Sequence, residues 1–88
     1  METSLENLKF GSLYHFPDNN ICVIRYDDPM TTKTILKRTP IVPIEFVETT
    51  KYNLARIKIL ATDGTFWHMN MHPSEFKLMK ELTSDKNY

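Results

Sequence analysis

The side chains in this sequence that could do chemistry are few: His15, His68 and His72, the single cysteine Cys22, and scattered carboxylates of which only Asp27 and Asp28 are adjacent. His68 and His72 stand four apart, the spacing that makes two imidazoles neighbours on a helix and lets them share a metal ion. The segment His68-Met69-Asn70-Met71 reads as a strand instead. Four residues at about 3.3 Å each then separate the two by about 13 Å, too far for one zinc ion with ligands about 2.1 Å away. His72 suits a helix cap or a loop, and His68 an exposed strand position. Cys22 lies in the apolar run Ile21-Cys22-Val23-Ile24, which predicts a buried, inert thiol. Asp27-Asp28 precede Pro29 and read as turn formers. With Gly11 and Gly64 as the only glycines, no glycine-rich phosphate loop can be built. We find no catalytic, metal or cofactor motif, and expect a protein that is not an enzyme.

The rest of the composition describes a small folded chain. It has 88 residues, 41% hydrophobic and 25% charged, with 11 Lys and Arg against 11 Asp and Glu. A domain of this size buries about two-thirds of its unfolded surface and holds a net stability of about 5–10 kcal/mol. The spread of apolar residues excludes disorder. Zero net charge argues against the nucleic-acid binders that carry an overall basic excess, while leaving a local basic face open. Met1 to Phe10 alternates charges with leucines instead of forming a secretory apolar core, and no apolar run approaches the ~20 residues of a membrane span. These readings predict a cytoplasmic protein without a membrane partner. With no repeat or linker, 1–88 reads as one domain.

The elements that must position these side chains are mostly strands. Pro17-Asp18-Asn19-Asn20 and Asp27-Asp28-Pro29-Met30-Thr31-Thr32 are turn signals. Between them Ile21 to Tyr26 reads as a strand, with Lys33 to Arg38 as its hairpin partner. Ile44-Glu45-Phe46-Val47 follows Pro43, which places that strand at a sheet edge or starts it after the proline. Leu54 to Ala61 and Thr65 to Met71 flank Thr62-Asp63-Gly64. After Pro73, the stripe Phe76, Met79 and Leu82 predicts a C-terminal helix over 73–82. Thr3 or Ser4 can cap a short turn carrying Leu5 and Leu8.

The last hairpin settles which side chains share a face. A two-residue Asp63-Gly64 turn would set Lys58 against Met69 and Arg56 against Met71. A three-residue loop, with Gly64 left-handed as a bulge, instead sets Ile59 against Trp67, Ile57 against Met69 and Ala55 against Met71. One face is then wholly apolar, and a one-residue slip would mix the two sets. The other face carries Arg56, Lys58, Leu60, Phe66, His68 and Asn70. Either Asp or Asn suits position 63 of such a loop, so Asp63→Asn is expected to be nearly silent.

Short strands joined by turns at about 10-residue spacing point to a small barrel or a strongly bent antiparallel sheet. In order, these elements resemble an SH3-like small β-barrel: five short strands, a bent early hairpin and a late hairpin with a tight Asp-Gly turn. The resemblance spans about 12–71 and concerns the fold alone. Such barrels bind peptides, proteins, RNA or DNA, so it implies binding without naming a ligand. The chain also looks like the small accessory proteins of phages. The leading expectation is a non-catalytic module that docks on another protein as an adaptor, accessory or inhibitor. It would use Arg56, Lys58, Phe66 and His68, with Tyr52 as an aromatic in the polar loop Thr49-Thr50-Lys51-Tyr52-Asn53. Aromatics are numerous enough that one or two of Tyr14, Phe16, Tyr52 and Phe66 are expected at the surface. The alternative is a nucleic-acid-binding barrel adding Lys33, Lys37 and Arg38 to Arg56 and Lys58, with stacking on Phe66. Against both stands an ordinary solvated face. An exposed edge at 33–38 or at the Pro43 strand would also permit homo-oligomers.

Overall fold

Alternation and turn chemistry produce seven strands in the computed structural model, which describes residues 2–82. They are β1 (Tyr14–His15), β2 (Ile21–Arg25), β3 (Asp28–Ile35), β4 (Val42–Thr49), β5 (Ala55–Leu60), β6 (Phe66–Met71) and β7 (Lys80–Glu81), with a 3-10 turn at Pro73–Leu78. A five-stranded antiparallel sheet runs in the order β3-β2-β6-β5-β4. β1 and β7 form a second, two-stranded sheet, and Tyr14 also bridges Ile41 at the entry to β4. The protein is mostly β. β3 and β4 each pair with one neighbour, so the larger sheet is open at both edges. No helix among the described residues is long and apolar enough to cross a membrane.

The β5–β6 hairpin has the bulged register. Ile59 opposes Trp67, Ile57 opposes Met69 and Ala55 opposes Met71, and all six are buried. The Gly64 amide donates to the Ala61 carbonyl at 3.0 Å, and the Ala61 amide to the Thr65 carbonyl at 2.9 Å. Gly64 itself has φ +85°. Against this inner face pack Val23, Ile35, Ile41, Tyr14, Phe76 and Met79.

Three elements depart from the sequence reading. The expected helix over 73–82 is only the 3-10 turn, followed by extended Met79 and β7. The cap is as expected: His72 Nδ1 accepts from the Ser74 amide, and the Glu75 side chain from the His72 amide. Of the stripe Phe76, Met79 and Leu82, however, only Phe76 lies in the turn, and Met79 is buried from an extended position. Pairing of β7 with β1, extended by the Leu82 amide donating to the Leu13 carbonyl, then takes the remaining backbone groups. The early hairpin turns at Tyr26-Asp27, so β3 begins at Asp28 rather than Lys33 and ends at Ile35. Asp28 accepts from the Met30 amide and the Thr31 hydroxyl. This folds Pro29 to Thr31 into the register shift between Ile24↔Thr32 and Arg25↔Asp28.

Cys22 is the third correction: it is exposed, not buried. Its neighbour Val23 points into the core, so Cys22, opposite Thr34, takes the outer face of a strand with only one buried side. Among the aromatics, Tyr14 and Phe16 are buried, whereas Tyr52 and Phe66 are exposed. Both sheet edges carry features that oppose strand addition. β4 holds Pro43 and two register shifts, placing the proline on an edge strand as expected. β3 holds Pro29 and an inward Lys33, opposite buried Val23.

The late turn generates two predictions. A Cβ on Gly64 would meet no atom within 4 Å, so Gly64→Val tests backbone strain alone. It should lower stability by more than about 1 kcal/mol in urea unfolding; a neutral result would contradict the left-handed turn. Asp63→Asn, in contrast to the sequence reading, should not be silent. The Asp63 carboxylate accepts from the Thr65 hydroxyl, the Thr65 amide and Lys33 Nζ. The Thr65 hydroxyl first, then Lys33 and the Thr65 amide, hold it well below the usual carboxylate range. A depressed native pKa stabilises the fold fully above the unfolded-state value, near pH 4, and progressively less as pH falls below it. The parent should therefore unfold at higher urea than Asp63→Asn at pH 7, and the gap should shrink below about pH 4.

Candidate binding face

The outer face of the large sheet is built in rows by the strand register. Thr32, Ile24, His68, Lys58 and Glu45 lie side by side across β3, β2, β6, β5 and β4. Toward the late turn the next row holds Phe66, Leu60 and Val42. On the other side stand Asn70, Arg56 and Glu48. The face thus grades from apolar at the turn end to polar at the other.

Two shifts in β4 create the acidic border. Ile44 and Val47 are the extra residues, and they let Glu45 and Glu48, three apart, stand opposite Lys58 and Arg56, two apart. Arg56 is held firmly: Nε donates to Asn70 Oδ1 at 3.0 Å and Nη1 to Glu48 Oε2 at 2.6 Å. Lys58 is held by rings. Its ammonium lies 4.7 Å from the Phe66 centroid and 5.4 Å from that of Tyr26, both within cation–π range. Tyr26 also meets His68, with ring centroids 6.2 Å apart and planes inclined by 55°. A hollow of about 230 Å³ lies beside these two rings at the turn end of the sheet, reaching toward the inner side; Arg25, Tyr26, Thr65, Phe66 and Trp67 line it.

Burial lowers the pKa of His68, and the Arg56 and Lys58 charges lower it further; Glu48 and Glu45 oppose them. Its imidazole is thereby kept neutral over a wider pH range than that of free histidine. Among the described residues no three of His, Cys, Asp and Glu are grouped so as to hold a metal ion.

The structure brings Arg56, Lys58, Phe66 and His68 together, as the hairpin register predicts. Tyr52, 72% exposed, sits beyond the polar end with Lys51 Nζ 5.2 Å from its ring. A hollow of about 440 Å³ joins it to Arg56, Glu48 and Asn70. The further cations of the nucleic-acid reading do not join this face. Lys33 lies on the opposite side, paired with Asp63 at 2.9 Å and 5.8 Å from the Trp67 ring centroid. Lys37 and Arg38 follow the end of β3, where the Lys37 amide donates to Asn20 Oδ1 and the Arg38 amide to the Phe16 carbonyl.

Sequence reasoning missed Tyr26, Glu45 and Glu48. The spacing Glu45-x-x-Glu48 against Arg56-x-Lys58 becomes a match only once the bulges are known. Tyr26 reads as the last residue of a strand and turns out to be half of a two-residue turn. Comparison with protein-family models, with curated proteins and with solved structures returns no match.

This arrangement predicts that His68, followed by NMR, titrates below free histidine. Arg56→Gln and Lys58→Gln should each raise its midpoint by removing a neighbouring positive charge. A midpoint at or above that of free histidine, or unmoved by both substitutions, would contradict the cluster.

Proposed function

We propose that this protein is a small, non-catalytic module that docks on another protein through the outer face of β5 and β6. The observation that carries the reading is the pair of exposed rings, Tyr26 and Phe66, set around Lys58 beside a hollow. Aromatic side chains around a small concavity are the usual anchors of protein interfaces. Tyr26 is 52% exposed at a hairpin turn while its ring lies against His68 and Lys58 on other strands, which supports this reading. In this reading the chain is an adaptor or accessory protein.

The same reading takes the fold as SH3-like. Its support is the chain path: an early hairpin, a meander of three longer strands closed by a tight turn, and a last short strand returning to the first. Nucleic acid is the weaker ligand. A backbone-tracking site needs several cations along one groove, but Lys33 lies on the other side, Arg56 is paired with Glu48, and Glu45 borders the face.

The test is affinity capture from the native host, followed by quantitative binding of the partner to variants. Phe66→Ala and Tyr26→Ala should each weaken binding by about tenfold or more, the effect of losing an interface anchor. Both should leave the melting temperature within a few degrees. Reversing Lys37 and Arg38 to Glu should leave the complex intact. Full retention by both ring variants would overturn the reading. Salt-sensitive retention on single-stranded DNA, lost on that reversal, would favour the nucleic-acid alternative.

A further inference from the structure

On the outer face itself, charge pairing is incomplete. Arg56 holds Glu48 at 2.6 Å there, while Arg25 holds Asp27 at 2.9 Å at the early turn and Lys33 holds Asp63 at 2.9 Å on the opposite side. Lys58 stands two residues from Arg56 on the same face, yet among the described residues it has no carboxylate within ion-pair distance. Glu45 is opposite it in register, but the ammonium lies over the Tyr26 and Phe66 rings instead. The aromatic faces stabilise the charge without neutralising it. A carboxylate delivered from outside would complete it in surroundings already partly dried by two rings, where such a contact is stronger than in open water.

The adjoining hollow limits what can accompany that carboxylate. At about 230 Å³ it is smaller than the roughly 300–1,000 Å³ of small-molecule pockets and suits a single inserted side chain. Tyr26, Phe66 and Trp67 give it apolar wall, and Arg25 and Thr65 a polar margin.

Resting on the docking reading above, we infer that this face takes from its protein partner an apolar side chain with a carboxylate beside it, the apolar part entering the hollow between Tyr26 and Phe66 and the carboxylate meeting Lys58. A cationic anchor fits poorly, because Lys58 already occupies the ring faces and would repel a second ammonium. A phosphate-bearing ligand would find one unpaired cation bordered by Glu45 and Glu48, a weak match for a dianion.

The test uses three small probes in NMR titrations of the whole protein: 3-phenylpropionate, 3-phenylpropylamine and adenosine monophosphate. 3-Phenylpropionate should shift the amide signals of Tyr26, Lys58 and Phe66 with a millimolar dissociation constant, as expected for so small a ligand. Lys58→Gln should weaken it about fivefold or more, and Phe66→Ala should abolish the shifts. Unchanged cross-strand contacts between Ile57 and Met69 would show that the hairpin survives in each variant. The inference is overturned if the amine or the nucleotide binds more tightly than 3-phenylpropionate, if Lys58→Gln leaves its affinity unchanged, or if it shifts none of the three signals. Those results would leave the docking reading standing, because that reading falls only if both ring variants retain the partner in full.

Discussion

The left-handed conformation of Gly64 is the constraint from which the rest of the sheet follows. It admits three residues between Ala61 and Thr65, and that count decides which side chains of β5 and β6 share a face. One residue fewer would bring Lys58 and Arg56 against the core positions of Met69 and Met71, at a desolvation cost that a domain of this size cannot offset. The turn is braced from outside as well. Trp67 Nε1 donates to the Thr65 hydroxyl, which donates to Asp63, while Lys33 Nζ reaches Asp63 from β3. Thus one small loop holds the indole, the edge strand and the hairpin register together.

From that register the two faces acquire different tasks. The inner face meets the residues arriving from β1, β2 and the 3-10 turn and forms a single apolar cluster. The outer face has no layer above it among the described residues, and its side chains organise one another. Arg56 is pinned between Glu48 and Asn70, Lys58 between two rings, and His68 beside Tyr26. Ordered side chains of this kind lose less conformational entropy on meeting a partner than freely rotating ones, which favours recognition.

The edges are arranged against strand addition. A sheet open at both sides offers unpaired backbone groups to any extended chain. Here β4 is interrupted by Pro43 and two bulges, and β3 by Pro29 and an inward cation. The same bulges that spoil the β4 edge turn Glu45 and Glu48 onto the outer face. Protection of the edge and the charge pattern of the face therefore come from one feature.

What the sequence determined by itself is local. The late hairpin, its register, the exposed group Arg56, Lys58, Phe66 and His68, the His72 cap and the edge position of Pro43 all follow from forces acting over a few residues: φ preferences, strand alternation and caps. Tertiary structure decided what depends on distant partners. The 73–82 segment has a competent helix start, but β1 pairs with its end and Met79 is buried from an extended position, so the segment makes a 3-10 turn and a strand instead of an α-helix. Cys22 reads as core within an apolar run, but β2 has only one buried side, and Val23 takes it. Tyr26 joined the face because the early hairpin turned where Asp28 could fold the following residues into a bulge. Glu45 and Glu48 joined it because β4 slipped twice against β5. In each case the outcome depends on hydrogen-bond partners and apolar surface brought from elsewhere in the chain.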